Sequence, residues 1–106
     1  MAKTKKWSEY KKEYLADSEN ARGYLEAAFE EFQADDDRAS LMLALRSVAE
    51  AQGGLGKLAE NVNIKRENLY RALSEKGNPT IETLRDVLNG LHLKIRLVPI
   101  AQSGAQ

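Results

Sequence analysis

The chain contains no cysteine and a single histidine, His92. Without cysteine there is no disulfide, no thiolate metal site and no thiol nucleophile, and one imidazole cannot build a histidine-rich zinc or iron centre. Net charge is missing as well: 16 Lys and Arg stand against 16 Asp and Glu. That balance argues against an unspecific polycation while leaving room for a local basic face. No apolar run reaches the roughly 18 residues of a membrane span, and the basic start Met1-Ala-Lys-Thr-Lys-Lys6 has no apolar stretch behind it to make a secretory signal. A cytoplasmic protein without membrane contact is the expectation. Nor is there a Ser-His-Asp grouping, a Gly-rich phosphate loop or a metal-ligand cluster, so an enzyme, a metal and a cofactor are not expected.

What is present suits one compact unit. The 106 residues, 42% hydrophobic and 30% charged, are enough for a small core without covalent staples. Charge is segregated along the chain. Residues 1–14 carry five lysines (Lys3, Lys5, Lys6, Lys11, Lys12) against Glu9 and Glu13, residues 15–37 carry eight acids against Arg22, and the remainder is +4. Such polarity offers an acidic segment to a cationic partner and a basic one to phosphate; the plainer reading is two solvated helix faces.

Hydrophobic spacing gives five helical segments followed by one strand, with helical spacing also in a short stretch at the N-terminus. In that stretch Trp7, Tyr10, Tyr14 and Leu15 fall at i, i+3, i+7 and i+8, which predicts core packing, with Ser8 as the N-cap. Ser18 is positioned to cap an acidic amphipathic helix with Ala21, Tyr24, Leu25, Ala28, Phe29 and Phe32 on one side and Glu26, Glu30 and Glu31 largely on the other. Asp35-Asp36-Asp37 reads as helix capping rather than as a hard-cation site. Residues 38–52 carry the stripe Leu41, Leu45, Val48 and Ala49, ended by Gly53-Gly54.

From Leu55 to Ser74 the pattern is that of a helix-turn-helix. Leu58 and Val62 point inward from its first helix, and Ala59 is small enough for the second helix to cross closely. Asn63 stands where the turn calls for positive φ, and Ile64 plugs the core. In the second helix Leu69, Ala72 and Leu73 face inward, leaving Glu67, Tyr70, Arg71 and Ser74 outward, with Lys65 and Arg66 at the N-terminal end. An α-helix fits the major groove of DNA, about 12 Å wide. Arg66 and Arg71 can fork onto guanine O6 and N7, Glu67 can accept from cytosine N4, Asn68 or Tyr70 can reach a base or phosphate, and Lys57 and Lys65 suit the backbone.

The segment Leu58-Ala-Glu-Asn-Val-Asn-Ile-Lys-Arg-Glu-Asn-Leu-Tyr-Arg-Ala-Leu-Ser74, followed by Gly77-Asn-Pro-Thr-Ile-Glu-Thr-Leu84, resembles the addiction-module antidote family, HigA-like antitoxins with lambda-repressor/Xre-type helix-turn-helix domains. The resemblance extends through Tyr24-Leu-Glu-Ala-Ala28 and Leu93-Lys-Ile-Arg-Leu-Val-Pro99, covering about residues 14–99. It implies a bacterial or prophage antitoxin that neutralises a RelE/ParE-like ribonuclease toxin and represses its own operon as a DNA-bound dimer. The chain departs from relatives at Gly56-Lys57, where they often have Ser-Gln, at Asn63 in place of Gly, and at Lys65 in place of a capping Ser.

Downstream, Gly77-Asn78-Pro79 stops the motif, and Thr80 caps a helix whose Leu84, Val87, Leu88 and Leu91 face inward. His92 falls where relatives carry a helix-ending Gly and is expected at positive φ. Leu93, Ile95 and Leu97 alternate with Lys94, Arg96 and Val98, closed by Pro99: one strand, whose backbone would be satisfied by pairing with a second copy. The expected architecture is therefore all-α, a five-helix lambda-repressor-like helix-turn-helix domain with one C-terminal β-strand that dimerises through Leu93, Ile95 and Leu97. Residues 1–37 are its N-terminal helical extension, 38–92 its DNA-binding core with the motif at 55–74, 93–99 the strand and 100–106 a tail. The alternative function is a stand-alone prophage or host repressor without a toxin partner.

Overall fold

In the computed structural model, which describes residues 6–101, six helices follow one another: α1 (Trp7–Leu15), α2 (Ser18–Asp35), α3 (Arg38–Ala51), α4 (Leu55–Asn61), α5 (Arg66–Ala72) and α6 (Ile81–Gly90). Lys3 and Lys5 of the basic start, and the tail from residue 102, lie outside the described residues. The expected count of five falls one short, and the N-terminal stretch, whose helical spacing was legible, is α1. Its entry is fixed by Glu9, whose carboxylate accepts from the Lys6 N–H at 3.3 Å, so the cap position is Lys6 and not Ser8. Its exit is fixed by a new start. Asp17, one residue before the expected Ser18, accepts from the Glu19 and Asn20 N–H groups at 2.9 and 3.1 Å, and the Asn20 side chain donates back to the Tyr14 carbonyl at 3.0 Å.

The aromatic stripe of α1 is not core. Trp7, Tyr10 and Tyr14 are 77%, 50% and 56% exposed, and from this stretch only Leu15 is buried. The spacing did identify one face, but a helix turns about 100° per residue, so Leu15 stands roughly a quarter-turn away from the centre of that stripe. Leu15 and the half-buried Lys11, four residues apart, make the inward face instead, with the Lys11 ammonium 5.3 Å from the centre of the Tyr24 ring on α2.

The long α3 is the axle. Leu41, Met42, Ala44, Leu45, Val48 and Ala49 are all buried, so α3 is covered on more than one side: by α1 and α2, and by α4. One apolar cluster draws on every helix, from Leu15, Ala21 and Leu25 through the α3 residues to Leu58, Leu69, Val87 and Leu88. Asp37 starts α3 by accepting from the Ser40 N–H and hydroxyl at 3.1 and 2.7 Å, the capping role expected of the acidic run. Thr80 likewise accepts from the Thr83 N–H at 3.1 Å to start α6.

Three helices end by the same device. After α3, α4 and α6 the chain steps into positive φ at Gly53, Asn63 and His92, and the next residue's N–H closes onto a carbonyl in the last turn: Gly54 to Ala49 at 2.8 Å, Ile64 to Ala59 at 2.9 Å, Leu93 to Leu88 at 2.8 Å. Gly90 fills a different need. A Cβ there would come within 2.4 Å of Leu58 Cδ1 and 2.7 Å of Val62 Cγ1, so its bare backbone lets α6 lie close against α4.

No β-strand occurs among the described residues, and the expected strand at 93–99 is corrected accordingly. A strand is defined by a ladder, and among the described residues none pairs with this segment. Leu93 belongs to the end of α6 through its bond to Leu88 and packs against the core, whereas Ile95 and Leu97 stand 50% and 90% exposed.

Candidate nucleic-acid interface

The turn between α4 and α5 is built from two bonds. The Asn63 N–H reaches the Glu60 carbonyl at 3.3 Å and the Ile64 N–H reaches Ala59 at 2.9 Å, which requires the left-handed conformation that Asn63 adopts at φ 60°. Ile64 is thereby turned onto the core, and the chain emerges at Lys65 ready for α5. Leu69 and Leu73 anchor α5 at 0% exposure, and the buried Ala59 lies opposite on α4. The apolar side of α5 is thus fully used, and its polar side is left to solvent.

On that side Lys65, Arg66, Glu67, Asn68, Tyr70 and Arg71 are exposed, as is Lys57 on α4. Ser74 differs: it is half-buried and its hydroxyl donates to the Arg71 carbonyl at 2.8 Å, tying off the helix end. Neither α4 nor α5 has a side-chain cap; Gly54 and Lys65 occupy those positions. Arg71 donates to the Asn68 carboxamide oxygen at the long distance of 3.5 Å. Arg66 lies 5.5 Å from the centre of the Tyr70 ring, one turn on.

Three residues support α5 by contacts that the sequence did not reveal, although Gly77 was read as a helix stop and Gly56 as a departure from relatives. Arg46, half-buried on α3, donates to the Leu73 carbonyl and so ties the C-terminal end of α5 to the axle. The signal was available, since it is the one charged residue in the mostly apolar run Leu41–Ala49. Gly77 is buried where a Cβ would stand 2.1 Å from the Ala72 carbonyl oxygen, so the chain can fold back under α5 only with glycine there. Gly56, on α4, is flanked by Arg66: a Cβ would be 3.4 Å from the guanidinium carbon and from Nε. Nothing in the sequence linked those two positions.

A family model described as "Probable addiction module antidote protein" matches residues 6–99. An uncharacterised protein of Haemophilus influenzae (strain ATCC 51907 / DSM 11121 / KW20 / Rd) is 33% identical over 85 residues, which is 80% of this chain and 82% of that protein. No solved structure matches. The family is one of antidotes rather than of catalysts, and no described helix is long and apolar enough to cross a membrane. Matched over nearly its whole length, the chain belongs to the probable addiction module antidote protein family.

Proposed function

We propose that this chain is a cytoplasmic type II antitoxin of the HigA-like, Xre-type kind, which neutralises a RelE/ParE-like toxin and represses its own operon by binding duplex DNA through α5. The observation that carries the DNA half is the division of α5 into two faces. Leu69 and Leu73 are buried while Lys65, Arg66, Glu67, Asn68, Tyr70 and Arg71 remain exposed, together with Lys57. Arg66 and Arg71 read guanine edges, Glu67 accepts from cytosine, Asn68 or Tyr70 reaches base or phosphate, Ser74 lies at the edge of that surface, and Lys57 and Lys65 hold phosphates. A homodimer that covers the exposed Ile95 and Leu97, next to the core-packed Leu93, is the arrangement that would set two such helices about 34 Å apart, one turn of duplex. Within this scheme residues 38–92 hold the DNA-binding helices, and residues 1–37, whose Leu15, Ala21 and Leu25 complete the common core, carry the toxin face.

The antidote half follows from the family, and the acidic stretch 15–37 supplies the chemistry, because a toxin that binds RNA presents a basic face. Glu26, Glu30 and Glu31 are exposed on α2. Truncation is the wrong probe of this face, since Leu15, Ala21 and Leu25 belong to the common core. The test is co-purification with the product of the neighbouring gene, using full-length protein and the Glu30→Lys/Glu31→Lys variant. Capture by the native chain and its loss on charge reversal support the reading; equal capture of both moves the face elsewhere, and capture of nothing leaves a stand-alone repressor. For DNA, Arg71→Ala should cost about 1–3 kcal/mol at one base position, while Lys57→Ala should weaken all sequences alike and flatten the salt dependence. Equal losses on specific and random duplex for Arg71→Ala defeat its role as a reader.

A further inference from the structure

On the exposed side of α5, Arg66 has neighbours on two elements. The Tyr70 ring lies 5.5 Å from its guanidinium carbon, and the backbone of Gly56 on α4 leaves space at 3.4 Å, measured from where a Cβ would be. Any residue larger than alanine at position 56 would project a side chain toward the guanidinium. A free arginine has several rotatable bonds and loses most of their freedom on forking onto a base, so one already held by a ring meets the groove with less left to lose. A tyrosine whose face is occupied by a guanidinium is, in turn, poorly placed to act as an independent base contact.

Resting on the DNA reading above, we infer that Gly56, Arg66 and Tyr70 form one reading unit in which Arg66 selects a guanine and Tyr70 and Gly56 are positioning residues acting through it. A Cβ at 56 would stand in ordinary contact with the guanidinium, so a long side chain there would compete for its place, and the aromatic face lies one helical turn on. The unit spans both helices of the motif, so base selection at this position depends on the α4 register as well as on α5.

The test selects a binding site for the full-length protein from a randomised duplex library, then titrates that site and its single-base alternatives by fluorescence anisotropy at fixed salt. One guanine position is expected to be discriminated by about 5- to 100-fold, and Arg66→Ala removes that preference. Tyr70→Leu and Gly56→Gln should erode preference at the same position, Tyr70→Phe should restore it, and adding Tyr70→Leu to Arg66→Ala should cost nothing further. Thermal melts check that each variant folds; Tyr70 is 41% exposed, and Tyr70→Phe retains its ring. If Tyr70→Leu changes preference at a different base pair, adds its loss to that of Arg66→Ala, or is matched by Tyr70→Phe, the unit is overturned while DNA recognition stands. If the native chain enriches no sequence at all, the DNA reading itself falls and the unit with it.

Discussion

Asn63 and His92 each hold φ in the left-handed region, at 60° and 67°, where an L side chain is strained and asparagine and histidine are among the least penalised. Replacing Asn63 with valine should destabilise the protein by about 1–2 kcal/mol, because a branched side chain clashes there, whereas glycine should be neutral or stabilising. Chemical denaturation distinguishes these outcomes, and a valine variant as stable as the native chain would contradict the turn geometry. Both positions were readable from sequence because the need is local: an apolar run stops, and a residue tolerant of positive φ follows. Asp17 was missed by one residue because aspartate and serine both cap, and only the tertiary register decides between neighbours. Asp37 offers a pH test. Its bonds from the Ser40 side chain and backbone hold its carboxyl below the ordinary value of 3.8, so its stabilising effect is present above that pH and lost as pH falls through the lower folded value. Asp37→Ala should therefore lower Tm near neutrality, with the gap from the native chain closing below about pH 3.8; a gap that persists there contradicts the carboxylate's role.

At the scale of elements, α5 is only seven residues long and too short to be stable alone, so its orientation is imposed from outside. Leu69 and Leu73 fix one side, the turn at Asn63 fixes its start, and Arg46 takes the Leu73 carbonyl at its end. Arg46→Met keeps much of the side-chain volume but leaves that carbonyl without its charged donor. The expected loss is about 1.5–3 kcal/mol, with amides of residues 69–73 exchanging faster than those of α3. Uniform exchange across both helices would mean that Arg46 does not secure α5. The helix-turn-helix was legible because small, turn-forming and apolar residues recur there at fixed offsets. The face of α1 was not, since Trp7, Tyr10 and Tyr14 share a stripe but periodicity does not say which stripe meets the neighbour. That choice was made by Leu15 and Lys11 against α2 and α3.

At the scale of the molecule, the N-terminal third is part of the core and not an appendage to it. Leu15, Ala21 and Leu25 belong to the same core as the buried face of α3, and α1 and α2 both pack on that helix, so removing them would uncover part of it. The C-terminal end is the opposite case: Ile95, Leu97, Val98 and Ile100 are exposed at 50%, 90%, 75% and 86%. Sequence alternation flagged this segment as a strand, which the described residues do not form; what is proposed is that a second copy covers its exposed side chains. Ile95→Glu/Leu97→Glu should then sediment as a monomer with helical content unchanged, while a variant that keeps the native mass would remove the segment from the dimer. The account rests most heavily on the polar side of α5 meeting duplex DNA. Its most direct test is to titrate the full-length protein against duplex taken from immediately upstream of its own gene and against a shuffled duplex of the same composition, over a range of salt. The account predicts tighter binding to the upstream duplex by about a thousandfold or more at physiological salt. Equal affinities with equal salt dependence would contradict it.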